Sequence, residues 1–354
     1  MTVFTGSTMT VSLKNLADNY NTLKKQTKSR AASVVKTNAY GLGAEQVVCR
    51  LVKEGCDAFF VAHAIEGRVV RRVAPQADIY VLQGIGTDSV EDFLTYGLTP
   101  VIANPDMLRF FKNTGITGVR PIIQVETGLN RLGFHQHDIA SLTPEDRQNF
   151  SYILSHLACA DDQQHFMNVR QQSVFEEMRK QFNIPATLAA SDGAFLGEAF
   201  HYDMVRFGAS LYGLNTVQGQ TTTLKPTVYV TAPVLQVSDV SAGEYVGYGA
   251  TYSVKTPQKI AVVSIGYGDG LPRSLSNKGR VRINGIYAPI VGRLSMDNIM
   301  CDVTHIPSVR VGDSAHILDD IYRADDMAQD AGTIGYEILT SLGKGFRFCK
   351  SYEE

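Results

Sequence analysis

Through about residue 215, short apolar runs alternate with longer segments in which apolar positions recur every three or four residues. Unbroken apolar runs suit strands covered on both faces, and the periodic segments suit the helices that cover them. The pattern therefore predicts βα units around a parallel sheet. Eight strands are predicted, at residues 31–35, 58–62, 79–83, 99–103, 121–126, 152–158, 186–191 and 204–208. Helices are expected between them, including 44–55, 105–115 with Pro105 near its start, and 165–182. Gly and Asn stand where these helices should end. Eight such units in roughly 200 residues make a (β/α)8 barrel, whose active site lies at the C-terminal ends of its strands.

After residue 225 the pattern changes. β-Branched runs at 227–237, 259–265, 279–283 and 299–303 are separated by Gly, Pro and Asn turns, and residues 333–343 have helical spacing. This texture predicts a mostly β second domain with a helix inside it. The expected fold is thus α/β, an N-terminal (β/α)8 TIM-type barrel over residues 1–224 followed by a mostly β C-terminal domain over 225–354.

Composition narrows the function class. Hydrophobic residues make up 44% and charged residues 19% of the 354, which excludes a largely disordered chain. With a formal net charge of −2 and scattered charges, no footprint for nucleic acid or an anionic membrane is present, so a small-molecule substrate is expected. No signal-like or spanning apolar stretch is found, and the expected location is cytoplasmic. The five cysteines form no C-x-x-C pair. They are expected to be reduced and mostly in the core, with no disulfide framework and no metal site.

The expected strand ends carry Lys36 and Tyr40, Arg131, His156, Ser191, and Arg206 with Gly208. A lysine in a dehydrated site loses its charge readily and becomes nucleophilic, as a Schiff-base lysine must; on a strand end it can equally be a snorkelling surface lysine. Ser191, Gly208 and Ala209 lie in the last two βα loops, where barrels bind phosphate, although Ser-Asp-Gly is also an ordinary helix cap. Arg206 sits on an apolar strand and needs a polar partner, either a carboxylate or a ligand. His156 suits a core histidine or a site residue.

Together these blocks resemble the alanine racemases, a pyridoxal-phosphate (PLP) family of barrel-plus-β-domain enzymes. The stretch 34–43, VVKTNAYGLG, is similar to the family's PLP-lysine motif, with Thr37 and Leu42 where alanine and histidine are common. VETGLNRLGF, SHLACAD, VRFGASLYG, VGYGATY, GYGDGLPR, VGRLSMD and TIGYE follow in family order over nearly the whole chain.

The resemblance implies that Lys36 holds PLP covalently and that Arg206 meets the pyridine nitrogen. His156 would pack at the ring and link Arg206 to a second base. Lys36 would serve the face from which the D-enantiomer loses its proton, and Tyr248 of VGYGATY the L-enantiomer. It also implies that Tyr40, Ser191, the backbone of Gly208 and Ala209, and Tyr336 meet the phosphate. Arg131 and the Met296 N–H would bind the substrate carboxylate, and Tyr267 would narrow the entrance. The implied assembly is a head-to-tail homodimer with shared sites, and the implied role is alanine racemisation that supplies D-alanine for cell wall or breaks it down. Racemisation of another small amino acid such as serine is the alternative.

Gln124 departs from the family pattern, standing where many members carry a carbamylated lysine that orients the arginine. Asn130 and Gln124, with a bound anion, are expected to hold Arg131 instead. The glycine-rich loop and cysteine motif of barrel decarboxylases do not occur. The pair Lys36 and Tyr248 argues against a PLP-binding regulator without turnover.

Overall fold

The computed structural model describes residues 6–217, 219, 223–345 and 347–354. Residues 1–5, 218 and 220–222, which the expected barrel span included, lie outside the described residues. The chain divides into two compact units: Leu16–Ala39 with Gly43–Leu224, and Met1–Asn15 with Tyr40–Leu42 and Lys225–Glu354.

The first strand, β1 (Thr8–Ser12), belongs to the second unit. The barrel strands follow as β2 (Arg30–Val34), β3 (Ala58–Val61), β4 (Asp78–Val81), β5 (Thr99–Ile102), β6 (Ile122–Gln124), β7 (Tyr152–Leu154), β8 (Ala186–Thr187) and β9 (Met204–Phe207). All eight predicted barrel strands are present, each within a few residues of its expected place. Neighbours pair in parallel in the order β8-β7-β6-β5-β4-β3-β2-β9. The circle closes between β8 and β9 through the Ala190–Arg206 bridge and the Arg206 N–H donating to the Ala189 carbonyl at 3.1 Å. β3 and β9 are buried at every position, as strands covered on both faces must be.

The helices start where local chemistry allows. Pro105 opens helix Pro105–Lys112, and the Asn104 side chain caps it by accepting the Met107 N–H at 2.8 Å. Ala44–Lys53 and Phe166–Arg179 occupy the other two expected spans.

The second unit is built on β10 (Val228–Val240), which pairs with β1, with Gln258–Val263 and with Ser314–Leu318, all antiparallel. β1 also pairs in parallel with the last strand, Cys349–Glu353. Residues 8–12 therefore correct the expected 1–224 boundary. Their alternating burial suits either unit, and only the pairing with β10 and the chain's far end assigns them. The helix predicted at 333–343 forms over Gly335–Gly343. Of the cysteines expected mostly in the core, Cys56 and Cys301 are buried, whereas Cys49 and Cys349 are exposed. No helix among the described residues is long and apolar enough to cross a membrane.

Candidate active site

Lys36 follows the end of β2, where Val35 still pairs with β3 through its N–H to the Phe60 carbonyl at 2.8 Å. Beyond it the backbone turns left-handed: Thr37, Asn38, Ala39 and Tyr40 all have φ near +55°, between 54° and 56°. Each non-glycine residue held there costs roughly 1–2 kcal/mol, so surrounding bonds must fix the turn. The Ala39 N–H donates to the Val35 carbonyl at 2.9 Å, and Asn38 accepts the Gly43 and Ala44 N–H groups at 3.0 and 2.8 Å. The Lys36 amine is half-buried, and its pKa is lowered by burial and by the Arg131 cation, with Glu66 acting in the opposite direction. It is thereby easier to use as a neutral nucleophile and base.

Arg206, in β9, is 4% exposed. Its guanidinium donates to Thr187 Oγ1 at 2.6 Å, to the carbonyls of Ser155 and Leu188 at 2.8 and 3.2 Å, and to His156 Nδ1 at 3.4 Å. These partners are all neutral, so the carboxylate reading is not what the barrel contains. A buried cation held only by dipoles retains net positive potential, and burial pulls its pKa below the usual arginine range. Because a guanidinium can only donate, His156 Nδ1 must accept, which places the imidazole proton on Nε2. Burial, then Arg206, Arg131 and Lys36, hold the His156 pKa down at about 3. His156 is thus a neutral donor through Nε2 at physiological pH.

Ser191 precedes the turn Asp192–Leu196 but makes no side-chain cap to it. Its Oγ instead accepts the N–H groups of Gly208 and Ser210, at 2.8 and 3.3 Å, tying the last two βα loops together. With both lone pairs engaged, its own proton must point elsewhere. The Gly208 N–H is committed to Ser191, while the Ala209 N–H opens the turn Ala209–Tyr212 and has no partner within it. Ser210 Oγ is buried and has no hydrogen-bond partner among the described residues. Two hydroxyl protons and a backbone amide without internal acceptors fit a phosphate dianion.

Arg131 is exposed, on a loop folded around the Glu126 carboxylate. That carboxylate accepts the Gly128 and Arg131 N–H groups at 2.5 and 3.1 Å. Burial raises the Glu126 pKa, but the N–H groups of Asn130, Gly128, Arg131 and Leu129 outweigh it and leave it lowered. The expectation for Gln124 is corrected: its Nε2 donates to the Leu132 carbonyl at 2.8 Å, shaping the loop rather than the guanidinium. Asn130 contributes a left-handed φ of 54°, a conformation asparagine tolerates better than most residues.

In the second unit, Tyr248 lies on the turn Tyr248–Ala250 at the tip of a short hairpin and is 71% exposed. Val246 anchors the hairpin in a cluster with Val254, Ile260 and Val291. A Cβ on Gly247 would lie 2.9 Å from Met300 Cε, so the turn packs tightly against its base. Tyr267 and Met296 are brought together: the N–H groups of Tyr267 and Gly268 donate to the carbonyls of Ser295 and Met296, at 3.1 and 2.9 Å. Arg347 pairs with Asp269 and Asp297 at 2.8 and 2.5 Å, clamping the same two loops. Tyr40 and Tyr336 face each other with ring centroids 6.0 Å apart.

Residues 11–216 match the family description "Alanine racemase, N-terminal domain", and residues 227–349 match "Alanine racemase, C-terminal domain". The chain belongs to the alanine racemase family. It is an amino-acid racemase, an isomerase. A catabolic alanine racemase of Mesorhizobium japonicum is 39% identical, over 96% of this chain and 92% of the relative. A biosynthetic one of Agrobacterium fabrum is 37% identical, over 97% and 93%. The crystal structure of alanine racemase from Bartonella henselae with covalently bound pyridoxal phosphate superposes with a TM-score of 0.94 at 34% identity, covering 98% of this chain and 99% of that one.

Sequence reasoning within the family frame missed Glu66, Glu126, Thr187 and Ser210. Glu66 stands three residues after His63 at a helix start, a spacing that signals a capping role and nothing more. The others act through backbone groups or through residues distant in the chain, which no local pattern records.

Proposed function

We propose that this chain interconverts L- and D-alanine with pyridoxal phosphate held covalently by Lys36. The observation that carries the reading is the Lys36 amine at a barrel-strand end, half-buried and shifted toward its neutral form. When bound, the cofactor supplies an electron sink that acidifies the Cα–H of the attached amino acid.

Inversion needs proton-transfer groups on opposite faces of Cα. Lys36 serves one face, and Tyr248 of the partner subunit in a head-to-tail homodimer serves the other. The exposure of Tyr248 supports this, since nothing in its own unit covers most of the ring. The neutral His156, donating through Nε2, and the cationic Arg206 behind it would stabilise the phenolate that such a base requires. Arg206 can only donate, so a pyridine nitrogen placed against it would be kept unprotonated, which would weaken the sink and disfavour delivery of the proton to the wrong carbon.

Ser191, Ser210, the Ala209 N–H, Tyr40 and Tyr336 would hold the phosphate, with Gly208 shaping the loop through Ser191. Arg131 and the Met296 N–H would bind the substrate carboxylate, and Tyr267 would exclude larger side chains.

The test is a visible spectrum of the purified protein, then proton NMR of L-alanine in heavy water beside a chiral assay. Loss of the α-proton with approach to equal enantiomers is expected. Exchange from D-alanine with none from L-alanine would remove Tyr248 from its role, and exchange from L-alanine without inversion would remove Lys36 from the opposite face. Lys36→Ala and Tyr248→Phe subunits, each inactive, should regain activity when mixed dimers form, and no recovery in demonstrated mixed dimers would refute a shared site.

A further inference from the structure

The left-handed turn after Lys36 is tied to the barrel by a carboxylate outside every role assigned above. Glu66 Oε1 accepts the Thr37 N–H at 2.5 Å, and Oε2 accepts the N–H groups of Ala62 and His63 at 2.7 and 3.2 Å. The His63 bond is an ordinary helix cap. The Thr37 bond is not: it joins the peptide directly after Lys36 to the C-terminal end of the neighbouring strand, β3, at the head of four consecutive non-glycine residues with positive φ.

We propose that Glu66 is a positioning residue for Lys36, fixing the strained turn that aims its amine and setting an anion opposite the cations gathered there. The inference rests on Lys36 being the cofactor lysine. The charged and titratable groups that face Lys36 are Arg131, His156 and Glu66, with Arg206 behind His156. Glu66 is the acidic member of that set.

A carboxylate serves this purpose because both of its oxygens accept. An amide of the same shape has one acceptor and would turn its NH2 toward either Thr37 or the Ala62 and His63 N–H groups. Glu66→Gln therefore removes both the charge and one end of the tie, while Glu66→Asp keeps the charge but falls one methylene short.

The experiment measures wild type, Glu66→Gln, Glu66→Asp and Glu66→Gln/Thr37→Gly as PLP-loaded proteins, by pH titration of the visible cofactor band and by kcat and KM. In Glu66→Gln the titration midpoint should fall by about one pH unit, because the anion that favoured the protonated nitrogen is gone. Its kcat should fall about tenfold or more from misplacement of the amine, with KM within about threefold. Glu66→Asp should keep the midpoint and lose kcat. Glycine at position 37 adopts positive φ without strain, so the double variant should recover part of kcat but not the midpoint. A helix cap alone would move none of the spectral readings. A Glu66→Gln midpoint and kcat equal to wild type overturn the proposal. If that variant does not fold, wild-type kcat in Glu66→Asp overturns it. A wild-type protein that shows no cofactor band overturns the proposed function and this inference with it, an outcome distinct from a normal wild type with silent variants.

Discussion

Gly343→Ala is expected to damage the protein far more than a glycine-to-alanine change in a helix normally does. Gly343 ends the helix Gly335–Gly343 and touches Gly41, two residues after the left-handed stretch passes Ala39. A Cβ on Gly343 would collide with the backbone of Gly41, lying 2.6 Å from its carbonyl carbon, and one on Gly41 would lie 2.7 Å from Gly343 Cα. Relief to an ordinary contact of about 3.5 Å requires a shift of roughly 1 Å. The Lys350 ammonium, which donates to the Gly41 and Gly343 carbonyls at 2.7 and 3.5 Å, resists that shift. Helix propensity favours alanine by about 1 kcal/mol at most, less at a helix end. Overpacking costs about 1–3 kcal/mol, and a weakened hydrogen bond from a charged donor about 1.5–3 kcal/mol. The net is a loss of about 2–4 kcal/mol, or roughly 3–5 °C in Tm for a chain of this length. Tyr40, next to Gly41, moves with the segment, so PLP retention after dialysis should fall as well. The assay is thermal unfolding with parallel absorbance of retained cofactor. A variant with unchanged Tm and unchanged cofactor content would show that the Gly41–Gly343 approach carries no energetic consequence.

Other perturbations test separate parts of the site. Ser191→Ala strands the buried Gly208 and Ser210 N–H groups and should cost about 2 kcal/mol or more in denaturant unfolding, with a higher Kd for PLP; equal stability would refute the loop tie. His156 is held neutral at about 3 in the folded chain against 6.5 ordinarily, so the unfolded state binds an extra proton between those values and stability falls as pH drops below 6.5. After discounting partial exposure, wild type should lose about 1 kcal/mol per pH unit more than His156→Gln as pH falls toward about 4.5, and parallel stability curves would refute it. Arg347→Ala releases the loops bearing Tyr267 and Met296 and should raise KM for alanine about threefold or more with little change in kcat, so an unchanged KM would remove Arg347 from their support.

The sequence by itself determined the barrel and which candidate residues stand near its strand ends. Short unbroken apolar runs such as Ala58–Val61, bounded by turn residues and alternating with periodic segments, suit strands covered on both faces, and their spacing places Lys36, His156, Ser191 and Arg206 at or near strand ends. These are local properties, written in period and in turn residues. Tertiary structure alone decided the rest. No pattern marks Thr37–Tyr40 as left-handed, because the cost of that turn is met by partners elsewhere, Glu66 among them. Ser191 looks like a helix cap and becomes an acceptor for the next loop. Arg206 needs a polar partner, a carboxylate or a ligand by sequence, and its partners within the chain are carbonyls, a hydroxyl and an imidazole. β1 pairs with β10 and with the last strand because registry depends on which edge is free, and an alternating burial pattern records which side chains turn inward without recording against what.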